Sequence, residues 1–114
     1  MVKRRLAVIL SPELPGRSRL CSIVLLSTAR PNPSRSYHHR LELDPPLPAP
    51  YDNPVMWVKG DIVLTVAFHR LRLLFDGKDE EGNRLYDQRV LEANELRVIQ
   101  QCVVRGLGMG HLLP

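Results

Sequence analysis

Several things are scarce in this chain, and each scarcity excludes something. There are only two cysteines, Cys21 and Cys102. They fall in separate apolar segments, so they read as buried thiols of a reducing compartment rather than as a disulfide framework. No apolar run approaches the ~18 residues of a membrane-spanning helix. Lys3-Arg4-Arg5 ahead of Leu6-Ala7-Val8-Ile9-Leu10 imitates a signal peptide, but the apolar part is short and stops at Ser11-Pro12-Glu13. The expectation is a cytoplasmic protein. Histidine and cysteine never occur at metal-ligand spacing: His38 and His39 are neighbours and would face opposite ways on a strand, so no metal and no other cofactor is expected. Acid is nearly missing from the first forty residues, which carry eight Lys/Arg and only Glu13 on the other side. Residues 41–114 reverse the balance, with eight Lys/Arg against eleven acids. A basic half fits a polyanionic partner, or equally a solvated basic rim.

Proline and glycine are plentiful. Ten prolines and seven glycines in 114 residues imply many turns and argue against a helical bundle. The length fits one domain, 1–114, that buries roughly 65% of its unfolded surface, and 44% apolar residues supply its core. Ala7-Val8-Ile9-Leu10 is too short for a helix and ends at Ser11-Pro12, which predicts a buried strand. Leu20-Cys21-Ser22-Ile23-Val24-Leu25-Leu26 predicts a second, ending at Ser27-Thr28. Turn chemistry at Pro12, Pro15, Gly16 and Ser18 separates them, so two adjacent strands of one small sheet are expected. If they are antiparallel neighbours, Arg5 at the start of the first meets Thr28 at the end of the second, and a guanidinium beside a hydroxyl is a ready phosphate site.

Residues 29–36 are a basic loop carrying Arg30 and Arg35. Residues 37–43 alternate: His39, Leu41 and Leu43 on one face, His38, Arg40 and Glu42 on the other, as in a half-buried strand. Residues 44–50 hold four prolines and predict a stiff, extended connector, or a proline-rich ligand for another domain. Tyr51-Asp52-Asn53-Pro54 is a turn. Strand character resumes over 55–60 and continues over 62–68 past a kink at Gly60, since a glycine inside a strand marks a bulge or a close backbone approach. Residues 76–83 form a charged turn and 84–90 another strand. Residues 92–105 form the one helix, with Leu96, Ile99 and Val103 on a stripe beside Cys102. Residues 106–114, with glycines at alternate positions at their start, predict a loose tail and lack the context of a phosphate loop. No internal repeat is visible.

The series Arg5-Leu6-Ala7-Val8-Ile9-Leu10-Ser11-Pro12, Leu20-Cys21 to Ser27-Thr28, and Lys59-Gly60-Asp61 resembles the MazF/PemK (Kid) toxins, the RNA-cleaving members of type II toxin–antitoxin pairs. The resemblance spans nearly the whole chain. It implies a mainly β fold with one C-terminal helix, a small SH3-like, partly open barrel of the CcdB/PemK type. It also implies a homodimer neutralised by an antitoxin that docks a disordered segment over the groove, with DNA reached only through the antitoxin complex. The implied activity is sequence-selective, metal-independent cleavage of single-stranded RNA by attack of the ribose 2′-OH on phosphorus. Arg5 then matches the active-site arginine and Thr28 the phosphate-binding threonine, while Asp61 is the candidate base and Lys59 the second cation. Arg4, Arg30, Arg35 and His38 would contact RNA, and His38 or His39 could carry a proton near neutral pH. Leu6 stands where the family has proline. The family's first strand, opening with Gly-Asp, has no counterpart here, which predicts an unpaired sheet edge. Two alternatives accompany this reading: a CcdB-like toxin that grips gyrase without nuclease chemistry, and a shortened, inactive remnant.

Overall fold

The computed structural model describes residues 4–11, 15–16 and 19–114. Lys3, Glu13 and the expected turn residues Pro12 and Ser18 lie outside the described residues. Among the described residues there are six strands and one α-helix, with short 3-10 turns at Phe68–Arg70 and Gly110–Leu112: β1 (Ala7–Ile9), β2 (Leu20–Ser27), β3 (His38–Glu42), β4 (Val55–Ala67), β5 (Leu74–Lys78), β6 (Arg84–Asp87) and α1 (Ala93–Gly106). Four of them form an antiparallel sheet in the order β1-β2-β4-β3, and β5 and β6 form a separate hairpin. The architecture is mainly β with one C-terminal helix laid on a curled, half-barrel sheet.

The two short apolar runs become β1 and β2, paired antiparallel with Ala7 opposite Leu25 and Ile9 opposite Ile23. The pairing extends past both strand ends, where Leu26 N–H donates to Leu6 O and Leu10 N–H to Ser22 O. Val8 and Val24, directly paired, enter the core with Leu10, and Cys21 and Ile23 of β2 are buried as well. Among the described residues β1 pairs on one side alone, so the sheet has an open edge there.

The alternation over residues 37–43 holds. Leu41 and Leu43 are buried, and His38, Arg40 and Glu42 sit opposite Lys59, Trp57 and Val55 on the outward face. His39 faces inward and ties the sheet to the helix, its Nε2 lying 3.0 Å from Glu95 Oε1.

The kink at Gly60 is a large bulge. Leu26 pairs with Val58, yet Val24 pairs with Val63, so residues 59–62 stand opposite Leu25 alone. The bulge bends β4, letting its first half pair with β3 and its second half run along β2. Gly60 is needed at the bend. A Cβ there would lie 2.6 Å from both Cys102 O and Tyr37 O. Gly106 makes the reciprocal approach, its would-be Cβ 2.5 Å from Gly60 O. Two glycines thus let the C-terminal turn of α1 touch the β4 backbone.

Glu92 caps α1 through its backbone, since Leu96 N–H donates to Glu92 O. Glu95 in the first turn and Arg105 in the last suit the helix dipole. Ile99, Cys102 and Val103 are buried on the inward stripe, with Leu96 packed at its margin. Gln100 Nε2 donates to Leu10 O at 2.8 Å, pinning the helix to the end of β1.

Some segments differ from expectation. The charged segment 76–83 gives its first three residues to β5, which runs through Lys78; the Asp79 carboxylate accepts from Glu81 N–H and Asn83 N–H, and backbone bonds between Asp79 and Asn83 and between Gly82 and Asp79 close the turn. β6 stops at Asp87, whose carboxylate accepts from Arg89 N–H and so turns the chain. The proline connector bends rather than running straight: Tyr51 N–H donates to Pro48 O, and Leu47 packs against the core. In the glycine-spaced tail, Met109 N–H donates to Val104 O, and residues 110–112 make one 3-10 turn. No helix among the described residues is long and apolar enough to cross a membrane.

Candidate functional site

The β1–β2 pairing decides where the first site lies. Because Leu6 and Leu26 are hydrogen-bonded neighbours, Arg4 and Arg5 before β1 come up beside Ser27 and Thr28 at the end of β2. The bent connector closes the far side with Pro50, Tyr51 and Asn53, and Leu6, Leu26 and Met56 form the floor. The result is a cleft of roughly 250 Å³.

Its chemistry is one-sided. Among the described residues two guanidiniums line it, together with the hydroxyls of Ser27, Thr28 and Tyr51 and the amide of Asn53, and no carboxylate does. Ser27 Oγ accepts from Ala29 N–H at 3.1 Å, and Asn53 Oδ1 accepts from Val55 N–H at 3.0 Å, so both side chains hold their loops in place. Among the described residues Arg5 and Thr28 make no side-chain hydrogen bond or ion pair. A guanidinium fork and a hydroxyl without partners among the described residues, beside no described carboxylate, suit an anion with several acceptor oxygens. Tyr51 and Asn53 were not legible as part of this cleft. Their turn is evident in the sequence, but its return to the end of β2 depends on the bend of the connector.

The other expected residues lie elsewhere. Trp57 is the register partner of Ser27, and Arg40 pairs with Trp57 from the other side. Arg30, from the basic loop, places its guanidinium carbon 5.8 Å from the Trp57 ring centroid. Lys59 follows on the same outward face, opposite His38. His38 Nδ1 accepts from Arg35 N–H at 2.9 Å and orders the loop, and the Tyr37 ring packs edge-on against the imidazole. His39, bound to Glu95, serves the sheet–helix joint. Asp61 is exposed on the bulge next to the Gly60–Gly106 contact and does not line the cleft. Three residues, two of them in the bulge, separate it from Trp57, on the order of 10 Å along β4. The structure therefore brings Arg4, Arg5 and Thr28 together, sets Arg30, Lys59 and His38 on the adjoining outward face, and leaves Asp61 apart.

The cysteines lie away from the cleft. Burial pushes the Cys102 thiol above its ordinary range, against a smaller opposing effect from the charge of Arg105. Cys21 and Cys102 are both free thiols. A second, larger cavity of about 520 Å³ is mostly aliphatic and runs beside the open edge of β1. No group of three His, Cys, Asp or Glu side chains that could hold a metal ion occurs among the described residues.

Comparisons with models of protein families, with curated proteins and with solved structures find no match to this chain.

Proposed function

We propose that the protein grips the backbone of single-stranded RNA in the Arg5–Thr28 cleft and cleaves it without a metal, as a growth-inhibiting toxin of the MazF/PemK type on a partly open SH3-like barrel. The supporting observation is the cleft itself: two antiparallel strand ends bring the Arg5 guanidinium and the Thr28 hydroxyl, both without a side-chain partner among the described residues, to one hollow lined by no described carboxylate. In the reaction the ribose 2′-oxygen bonds to phosphorus and the bond to the 5′-oxygen breaks. A cyclic phosphate and a 5′-OH end result. A base takes the 2′-OH proton and an acid supplies one to the leaving oxygen. Arg5 neutralises the phosphoryl oxygens, whose negative charge grows in the transition state, and Thr28 donates to one of them. A guanidinium holds its proton too tightly to act as the base. Arg4, Arg30, Arg35 and Lys59 bind flanking phosphates, with His38 at the margin. A homodimer held in check by an antitoxin belongs to the same proposal.

One observation favours a second reading. Among the described residues no carboxylate and no imidazole lines the cleft, and Asp61 lies outside it. A protein so arranged holds RNA without cutting it. Incubation of a mixed-sequence single-stranded RNA with EDTA present separates the two. Fragments with cyclic-phosphate and 5′-OH ends, lost in Arg5→Ala and Thr28→Ala, support cleavage. RNA bound intact, with binding lost in Arg5→Ala, supports the second reading. RNA neither bound nor cut sinks both.

A further inference from the structure

We propose that Trp57 is a stacking platform for a nucleobase next to the phosphate held in the cleft. This rests on the RNA reading above and names the group that receives the base. Trp57 is the chain's sole tryptophan. The core of β4 is built by the alternate residues Met56 and Val58, both buried, which leaves Trp57 on the opposite face, partly buried and outside the core cluster. No core packing requires an indole there. The ring is flanked by cations: the Arg30 guanidinium carbon lies 5.8 Å from its centroid, and Lys59 follows on the same face. Arg40 on the neighbouring strand is already paired with Glu42. Arg30 shows that a planar group has room over the ring. A nucleobase is planar too, and it either continues the stack on the guanidinium or replaces it.

Position links the ring to the cleft. Ser27 lines the cleft and is also the cross-strand partner of Trp57. Directly paired residues have Cα atoms about 4.5–5.5 Å apart. The ring therefore stands one strand from the Arg5–Thr28 phosphate position, around the end of β2. A nucleotide whose phosphate enters the cleft has its own base or its neighbour's within reach of Trp57. Bases in a duplex are stacked on each other and cannot take this place, so the surface selects single strands.

A sole tryptophan is its own reporter. Intrinsic fluorescence is followed while a 2′-O-methyl RNA oligonucleotide, which cannot be cleaved, is titrated in. An abasic oligomer of the same length and charge, and the duplex, serve as comparisons. The base-bearing strand is expected to quench to saturation, and the abasic oligomer and duplex are not. Trp57→Ala, followed by fluorescence polarisation of a labelled strand, weakens binding of the base-bearing strand by about 5- to 150-fold. It leaves abasic binding unchanged, and Trp57→Phe retains most of the affinity. Equal quenching by the abasic oligomer, or unchanged affinity in Trp57→Ala, would overturn the proposal. The two proposals fail separately: quenching without cleavage refutes only the nuclease chemistry, and cleavage with Trp57 silent refutes only the stacking.

Discussion

Gly60→Ala places one methyl group where the structure has no room. The new Cβ would stand 2.6 Å from Cys102 O, 2.6 Å from Tyr37 O and 2.7 Å from Cys102 C. All three are backbone atoms, so no side chain can swing away. Either the C-terminal turn of α1 lifts off β4 or the bulge opens. The second route weakens the Gly60 N–H bond to Tyr37 O, now 2.9 Å long. Overpacking costs about 1–3 kcal/mol, and loss of the hydrogen bond adds about 1 kcal/mol. The expected destabilisation is therefore about 2–4 kcal/mol, a large part of the roughly 5–15 kcal/mol that holds a domain together. In a thermal melt the midpoint should fall by roughly 10–20 °C. Gly106→Ala, whose Cβ would meet Gly60 O at 2.5 Å and Asp61 N at 2.7 Å, should cost a similar amount. The double variant should cost less than the sum, because lifting the helix once relieves the Gly106 clash and the Cys102 part of the Gly60 clash, while the Tyr37 contact remains. Gly82→Asn is the control: its φ of 83° suits asparagine and nothing lies within 4 Å of a Cβ. If Gly60→Ala melts within about 2 °C of the wild type, or the two alanines are additive, the glycine contact is not what seats the helix.

Salt should report the cations of the site. Each phosphate contact on a single strand contributes about 0.7 to the slope of log affinity against log salt, so removing Arg5, Arg30 or Lys59 singly should flatten the slope by about that amount, and an unchanged slope removes that residue from the interface. Cys102 should resist alkylation in the native protein at neutral pH, since burial holds its thiol protonated. Its raised pKa also means that stability is intact below the unfolded thiol's pKa of about 8.5 and declines as pH rises beyond it; denaturant midpoints for the wild type and Cys102→Ala across that range should converge toward high pH. The carboxylate of Asp79 is held below its ordinary range, chiefly by the Asn83 N–H. The hairpin turn should therefore stay closed above the unfolded Asp pKa and loosen only as pH falls through the lowered value. Amide exchange at Glu81 and Asn83 should show this, and Asp79→Ala should exchange fast at every pH.

The sequence carried the fold wherever local chemistry and tertiary demand agreed. The runs around Val8 and Val24 were strands because nothing else hides so short an apolar stretch between turns. His38, Arg40 and Glu42 alternated with Leu41 and Leu43, and the sheet used that alternation unchanged. Gly60 implies a close approach, and its partners are the backbones of Cys102 and Tyr37, with Gly106 set against its carbonyl. The meeting of Arg5 and Thr28 followed once β1 and β2 were taken as antiparallel neighbours. What could not be read depends on bends. The span opposite Leu25 absorbs residues 59–62, and no pattern in Lys59-Gly60-Asp61 states how far a bulge carries a side chain from the cleft. Tyr51 and Asn53 enter the cleft because the proline connector turns back at Pro48, where composition alone implied a straight run. Trp57 has no motif around it, and its outward placement emerges only from the register with Ser27 and Arg40.

The central claim is that Arg5 and Thr28 hold the same backbone phosphate. The direct measurement is a nitrogen–proton correlation spectrum that resolves the Arg5 Nε–H and the Thr28 amide, recorded while a 2′-O-methyl RNA strand is added. Both signals should move along one binding curve, and Thr28→Val should weaken the response at Arg5. Signals from Arg5 and Thr28 that stay fixed while the RNA saturates other residues would contradict the account.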